Sequence, residues 1–177
     1  IVVVRPPMAS PLTADENTII GNTVLYGATD GYLFAAGRAG ERFAVRNSGA
    51  RVVIEGCGSN GCEYMTGGVA VILGSIGANF GAGMTGGMAY IHDPEGTARD
   101  VMNLESIVTC PVTVAHWEEE LKALIRRHAE ETRSRKAADI LQHWEAEKAN
   151  FLQVCPKEML DKIEHPLGIE NEAVPAE

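Results

Sequence analysis

The sequence predicts an all-β fold, a parallel β-helix built as a single-stranded solenoid, followed by a C-terminal α-helical appendage. Seventeen of the 19 glycines lie between Gly21 and Gly87. They separate short apolar runs, which occupy residues 24–26, 32–34, 43–45, 52–54, 63–65, 71–73 and 89–91. The runs are expected to be short strands, and because no helical pattern separates them, a βαβ sheet is not expected. We therefore expect a coiled chain in which each turn buries its apolar face on its neighbours.

The coil is predicted to repeat after every second apolar run. Three longer units can be superimposed, residues 23–40, 51–68 and 70–87, and the last two begin 19 residues apart. Glycine suits the corners because it adopts positive φ without strain and lets successive turns approach closely. The predicted corner glycines are Gly27, Gly37, Gly40, Gly49, Gly56, Gly61, Gly67, Gly68, Gly74, Gly86 and Gly87.

The first four residues form a continuous β-branched run, which we expect to be a strand of the same coil. Arg5, Pro6 and Pro7 follow this run, and no initiator methionine precedes it. The end of a solenoid normally carries a cap. We therefore expect the sequence to be a piece of a longer polypeptide.

The distribution of charge predicts a domain boundary near Pro111. Residues 1–113 hold six arginines, no lysine and ten acids, whereas residues 114–177 hold nine bases and fourteen acids. We interpret residues 1–113 as the glycine-rich β-helix, truncated at its N-terminal end, and residues 114–177 as a helical tail. The net charge of −9 opposes nucleic-acid binding, which requires clustered lysine and arginine.

The composition also argues against a membrane protein and against a disulfide framework. Residues 64–92 carry no formal charge with His92 neutral, but their eight glycines and short apolar runs do not suit a bilayer helix. The four cysteines form no CxxC pair and the chain shows no secretory signal. Reduced thiols in the cytoplasm are therefore expected. Cys57 and Cys62 are predicted to be buried thiols, since a zinc site would lack two ligands.

Beyond residue 114 the apolar period becomes that of a helix. A first helix is predicted to bury one side, formed by Trp117, Leu121, Leu124, Ile125 and His128. A second is predicted from Thr132 or Ser134 to about Asn150, with Ala137, Leu141, Trp144 and Phe151 facing inward. A short third helix is predicted from Pro156 to Ile163, and a frayed acidic end from Ile169. So small a hairpin needs a surface, and the open end or the flank of the β-helix is the nearest.

Two motifs resemble functional sites but are better explained by the fold. The sequence GCGSNG at residues 56–61 matches the dinucleotide-binding fingerprint. That fingerprint must open a helix and precede an acid by about twenty residues, and the sequence offers neither. The acids of residues 92–96 could bind a cation only with further ligands that the sequence does not show. These residues are therefore predicted to form a turn that leaves the coil. His116, His128 and His143 are interpreted as packed or partly exposed, and we predict no catalytic, cofactor-binding or metal-binding residue.

Arg38, Arg42 and Arg46 flank an apolar strand and are the candidate interaction residues. Two or three guanidinium groups on one face can bind a carboxylate or an adjacent domain. The alternative is a solvated face on which Glu41 is the local partner.

Four segments carry a resemblance to a known family. They are GNTVLYGAT at residues 21–29, AGRAGERFAVRNSGA at 36–50, GCEYMTGG at 61–68 and FLQVCPKEM at 151–159. These segments resemble the C-terminal domain of the large subunit of glutamate synthase, and the resemblance spans nearly the whole chain. The chain has Asn60 where that family often has histidine, so no titrating group is expected there. The general glycine pattern is also similar to that of a β-helical subunit of formylmethanofuran dehydrogenase.

The resemblance implies a right-handed β-helix with a structural role in a larger enzyme. The parent would convert glutamine and 2-oxoglutarate to two glutamates, using FMN and an iron–sulfur cluster. Its amidotransferase domain and FMN-binding synthase domain would be the partners, with a small electron-donating subunit, and none of their motifs is present here. The expected function is a non-catalytic scaffold, and the alternative is a stand-alone β-helical assembly or binding subunit.

Overall fold

The computed structural model describes residues 1–168, which form a parallel β-solenoid with helices on its flank. The strands are β1 (Val2–Val4), β2 (Thr18–Ile20), β3 (Tyr32–Ala35), β4 (Arg38–Ala39), β5 (Ser48–Ile54), β6 (Thr66–Ile72), β7 (Gly86–His92), β8 (Ile107–Pro111) and β9 (Phe151–Pro156). The helices are α1 (Ala115–Thr132), α2 (Arg135–Gln142) and α3 (Trp144–Glu147). The predicted all-β solenoid with a helical appendage is confirmed.

Successive coils place their strands side by side in one large sheet. Its strand order is β1-β3-β5-β6-β7-β9-β8, and the first five strands are parallel. Leu33 pairs with Val52, Val52 with Ala70, and Ala70 with Ala89. The period is therefore 18 or 19 residues, close to that predicted from the repeated units. A second, two-stranded parallel sheet joins β2 to β4.

The apolar runs at residues 24–26, 43–45 and 63–65 were expected to be strands, and that expectation is wrong. They belong to segments in which every second residue has a positive φ, and we call residues 22–27, 41–46, 59–64 and 78–83 the left-handed rows. Tight turns recur within the rows, as where Met65 N donates to Cys62 O at 3.2 Å. Backbone bonds still join neighbouring rows, because Ala44 N donates to Val24 O at 2.9 Å. The rows thus continue the stacking of the coils without extended backbone.

Both faces of the sheet are buried at its central strands β3, β5, β6 and β7, which explains the apolar runs at residues 32–35, 52–54, 69–72 and 88–91. Val52 and Ile54 point into the solenoid, whereas Val53 between them points outward to the helices. The interior cluster also contains Phe43, Cys62, Met65, Phe80 and Met84. The outer cluster joins Phe34, Val71, Leu73 and Tyr90 to Trp117, Leu121, Ile125, Ile140 and Trp144 of the helices. The appendage therefore lies on the flank of the solenoid, one of the two surfaces expected.

The prediction for the tail is right for α1 and wrong beyond Gln142. All five residues predicted to face inward from α1 are buried. The second helix was expected to reach Asn150 but ends at Gln142, and α3 and a 3-10 turn follow. Phe151–Pro156, expected to lie between two helices, is strand β9. The expected third helix is reduced to a 3-10 turn at Lys157–Met159. The predicted frayed end from Ile169 lies outside the described residues.

The physical reason for β9 is the open edge of β7. In β7 the last parallel coil would leave a row of backbone N–H and C=O groups unpaired. Strand β9 covers that edge in the antiparallel sense, pairing His92 with Phe151 and Ala89 with Val154. Strand β8 then pairs with β9, also antiparallel. The tail predicted to be helical thus also supplies the cap on one end of the solenoid.

Candidate interdomain surface

The three candidate arginines occupy two different places. Arg38 lies on β4, half-buried, and its Nη1 donates to Ser75 Oγ at 2.7 Å. Arg42 and Arg46 lie in one left-handed row, with φ of 58° and 56°, and both side chains are exposed. The structure therefore brings together only two of the three guanidinium groups. Whether any of them contacts another domain stays a prediction.

Neither exposed arginine is neutralised within the described chain. Among residues 1–168, the side chains of Arg42 and Arg46 take part in no ion pair and no hydrogen bond. Glu41, the expected local partner, lies in the same row without pairing to either. No acidic side chain of residues 1–168 therefore balances their charges.

An asparagine ladder borders this pair of arginines. Asn79 Nδ2 donates to Asn60 Oδ1 at 3.0 Å, and Asn103 Nδ2 donates to Asn79 Oδ1 at 3.0 Å. Asn60 and Asn79 occupy the left-handed positions that Arg42 occupies in the preceding row. Asparagine tolerates this backbone better than most residues. The ladder crosses three coils and fixes the side chains on this face.

The glycine-rich motif at residues 56–61 is part of the coil. It leaves β5 and leads into a left-handed row, and the next regular element is β6. No helix begins between residues 56 and 65, so a pyrophosphate would meet no helix N-terminus. These glycines lie in the coil between β5 and β6, and their role as corner glycines stays a prediction.

The cysteines are all free thiols and all buried. Cys57 and Cys62 belong to the solenoid interior, and burial raises the pKa of Cys57 to about 12 and that of Cys62 well above its usual range. Cys110 lies on β8 and Cys155 on β9, and burial raises the pKa of each to about 11. Within residues 1–168 no three His, Cys, Asp or Glu side chains converge as metal ligands.

These thiols should be inert in the folded chain. Only the thiolate reacts, so at pH 8 we expect iodoacetamide to modify Cys110 and Cys155 about 100-fold more slowly in folded than in urea-unfolded protein. The raised pKa favours the protonated thiol in the folded state. The contribution of these thiols to the stability of the fold is therefore complete below pH 9.0, the ordinary pKa of the thiol. That contribution is lost as the pH rises from about 9 to about 11. Mass spectrometry of alkylated peptides measures the rates, and equal rates in both states would contradict the assignment.

A buried polar network, which the sequence did not predict, joins the solenoid to the helices. Glu55 follows β5 and is 1% exposed, and its Oε1 lies 3.3 Å from Nε2 of the fully buried His128 on α1. Ser134 Oγ donates to the same oxygen and accepts the N–H of Ala137 at 3.0 Å, which caps α2. Thr132 Oγ1 donates to His128 O at 2.6 Å. The network therefore fixes the junction between α1 and α2 on the end of β5.

His92 forms a second link between the solenoid and the helices. It is the last residue of β7, and its Nε2 lies 2.7 Å from Glu147 Oε2 on α3. This hydrogen bond, together with one from Asn150, lowers the pKa of Glu147. The next residue, Asp93, accepts the N–H groups of Thr97 and Ala98. The turn predicted at residues 92–96 is thus present.

Comparison with known proteins places the chain among segments of much longer polypeptides. The profile of the family described as GXGXG motif matches residues 1–157. The glutamate synthase (NADPH) large chain of Azospirillum brasilense is 60% identical over 168 residues, which cover 95% of this chain and 11% of that protein. The ferredoxin-dependent glutamate synthase 2 of Synechocystis sp. is 51% identical over 164 residues, covering 93% of this chain and 10% of the relative.

The large chain of the Bacillus subtilis enzyme, also named for NADPH, is 46% identical over 167 residues, covering 92% of this chain and 11% of the relative. The chain therefore spans about a tenth of the length of the curated relatives it matches. Among the described helices, none combines the length and apolar character needed to cross a bilayer.

Proposed function

The chain belongs to the GXGXG motif family, and from this premise we propose that it is a non-catalytic structural domain of a glutamate synthase. The observation that carries the proposal is the burial of the central strands of the large sheet on both faces, by the solenoid interior and by the helices. Stacked coils joined by continuous hydrogen-bond ladders resist relative movement. Such a body suits the task of holding other domains at fixed positions while an intermediate passes between them.

The parent enzyme of this proposal makes two glutamates from glutamine and 2-oxoglutarate. Its amidotransferase domain and its FMN-binding synthase domain are the partners we assign to this chain, together with a small electron-donating subunit. The coverage of about a tenth of each relative leaves room for such domains. Free thiols suit a reducing compartment, and we place the parent in the cytoplasm.

The residues of this chain do not fit the cofactors of the parent. An iron–sulfur cluster is held by converging thiolates, whereas Cys57 and Cys62 lie in the solenoid interior, and Cys110 and Cys155 lie on β8 and β9. The glycine-rich loop at residues 56–61 opens no helix toward a phosphate group. We therefore assign FMN and the cluster to other domains and derive no chemical step from this chain.

The proposal predicts that the purified 177-residue chain is colourless, whereas the polypeptide that contains it in the source organism is much larger and binds flavin. An antibody raised against the chain measures the native mass on a denaturing gel, and an absorbance spectrum of each purified protein detects flavin. A native band several times heavier than 19.0 kDa, with flavin, is the expected result.

Two results would contradict the proposal. A stoichiometric flavin spectrum from the isolated chain would give it a cofactor site. A native band near 19.0 kDa would identify an independent β-helical assembly or binding subunit. A denatured, refolded sample of the chain controls for flavin carried over from expression.

A further inference from the structure

Equivalent positions of successive left-handed rows form columns along the solenoid. In the middle of one column, large side chains occupy backbone positions that favour glycine. The last left-handed positions of successive rows are Gly27, Arg46, Tyr64 and Gly83, with φ of 65°, 56°, 54° and 63°. A left-handed backbone disfavours residues that carry a Cβ. Glycine is thus used at both ends of the column, and arginine and tyrosine in the middle oppose the local backbone preference. Stacking imposes the same backbone on smaller or buried residues such as Ala44 and Cys62, so what distinguishes Arg46 and Tyr64 is that their side chains are large and exposed.

These two side chains form the walls of an open surface pocket. Arg46, Tyr64, Thr66, Gly83 and Thr85 line it, and its volume is about 320 Å³. The ring of Tyr64 lies against Gly83, where a Cβ would overlap it, and 51% of the tyrosine remains exposed. The pocket is therefore a mostly apolar surface beside the Tyr64 ring, with the exposed Arg46 at its wall. We call it the Arg46–Tyr64 pocket.

No acidic side chain of the described residues forms an ion pair with Arg46 at this pocket. Within residues 1–168 the Arg46 guanidinium has no ion pair or hydrogen bond, and neither has that of Arg42, four residues earlier in the same row. Glu41 lies in the row of the two arginines and Glu63 in the row of Tyr64, but neither forms an ion pair with either arginine. An exposed arginine pair beside an aromatic ring is typical of the energetic centre of a protein interface.

We propose that the Arg46–Tyr64 pocket binds an aspartate or glutamate side chain from another domain of the longer polypeptide, an inference that rests on the proposed function. A guanidinium group binds a carboxylate through two parallel hydrogen bonds, and the Tyr64 ring supplies apolar contact area beside that pair. A second copy of this chain is the competing occupant. Another domain is favoured because the chain spans only about a tenth of the length of its relatives, so most of the longer polypeptide lies outside it.

The test uses the full-length polypeptide with Arg46→Lys and a carbodiimide, which joins an amine directly to a touching carboxylate. Residues 1–113 contain no lysine, so the new amine has no lysine competitor in that region. We expect mass spectrometry to find the peptide around residue 46 joined to an aspartate or glutamate outside the 177 residues. Addition of Tyr64→Gly should lower that yield several-fold, because the ring is lost while the backbone keeps its preferred residue.

Arg51→Lys is the matched control. Arg51 is exposed on β5, with Nη1 3.5 Å from Tyr32 Oη, beside α1 and away from the pocket. We expect no link from this variant to residues outside the chain. Links from position 46 only to Glu41 or Glu63, or no link at all, would overturn the inference. Links between two copies, detected by mixing isotopically labelled and unlabelled protein, would overturn it as well.

Cross-linking tests the pocket and the native mass tests the proposed function, so failure of one can be told apart from failure of the other. A native polypeptide of large mass without the expected link leaves the scaffold role standing and removes only the pocket as its contact. A native polypeptide near 19.0 kDa removes the scaffold role itself.

Discussion

Replacement of Glu55 by alanine is expected to lower the free energy of unfolding by about 3 kcal/mol, because two buried polar groups lose their shared acceptor. His128 is fully buried and its Nδ1 already has no partner within the described residues, so Nε2 would be left without one as well. Ser134 Oγ would lose its acceptor while still capping α2. Urea unfolding followed by circular dichroism and tryptophan fluorescence measures the change.

The position of the network predicts which part of the chain is affected first. Trp117 on α1 and Trp144 on α3 lie in the outer cluster, so their fluorescence reports the docking of the helices. In Glu55→Ala we expect this signal to change at lower urea than the signal of the strands. Ser134→Ala should cost about 1 kcal/mol, the usual value for a lost helix cap. Hydrogen exchange of α1 and α2 provides an independent reading of the same weakening.

A double-mutant cycle tests whether the residues act together. The loss in Glu55→Ala and His128→Ala combined should be smaller than the sum of the single losses, because each single change leaves the other group buried without its partner. The exposed Glu95 is the matched control, and Glu95→Ala should stay within about 0.5 kcal/mol of the parent chain. Additive losses, or a Glu55→Ala chain as stable as the control, would contradict the role assigned to the network.

Features that depend on residues close together in the chain could be predicted from the sequence, whereas features that depend on distant residues could not. The coil period was predictable because glycines recur at short intervals, and α1 was predictable because its buried residues follow the helical period. Strand β9 was not, because its extended form depends on pairing with β7, about sixty residues earlier. The Glu55–His128 contact joins residues 73 apart, and Glu55 to Ser134 spans 79. No local pattern marks such contacts.

The left-handed rows illustrate a second limit. Positive φ at Thr23, Leu25, Ala44 and Cys62 contradicts the preferences of those residues, and in Thr23 the side chain is β-branched. Stacking imposes this backbone, since bonds such as Cys62 N to Phe43 O at 2.7 Å hold each row to its neighbour. Of the candidate surface, the spacing of Arg42 and Arg46 indicated that the two side chains share one face, although on a strand and not in a left-handed row. The separate position of Arg38, and the place of Tyr64 beside Arg46, followed from the register of the coils.

Replacement of a coil glycine by alanine can carry two costs, the strain of a left-handed backbone and the overlap of the new Cβ with the neighbouring coil. Gly87→Ala should show both. Gly87 has φ of 80°, and a Cβ there would lie 2.7 Å from the carbonyl oxygen of Gly68 in the preceding coil. The left-handed backbone costs about 1–2 kcal/mol, and the overlap with rigid backbone adds about 1–3 kcal/mol. We expect Gly87→Ala to lower the free energy of unfolding by about 3–4 kcal/mol, measured by urea titration.

Two other glycines isolate these costs. Gly27 has φ of 65° and open space around it, so Gly27→Ala should cost about 1 kcal/mol, from the backbone alone. Gly86 lacks a positive φ, but a Cβ there would overlap the carbonyl oxygen of Thr66, so its alanine variant should show the steric cost alone. If the loss in Gly87→Ala matched that in Gly27→Ala, close approach of the coils would not be what requires glycine at this corner. A loss in Gly87→Ala clearly above that in Gly27→Ala would show that glycine serves both needs there, since the same position has a left-handed backbone and admits the coil beside it.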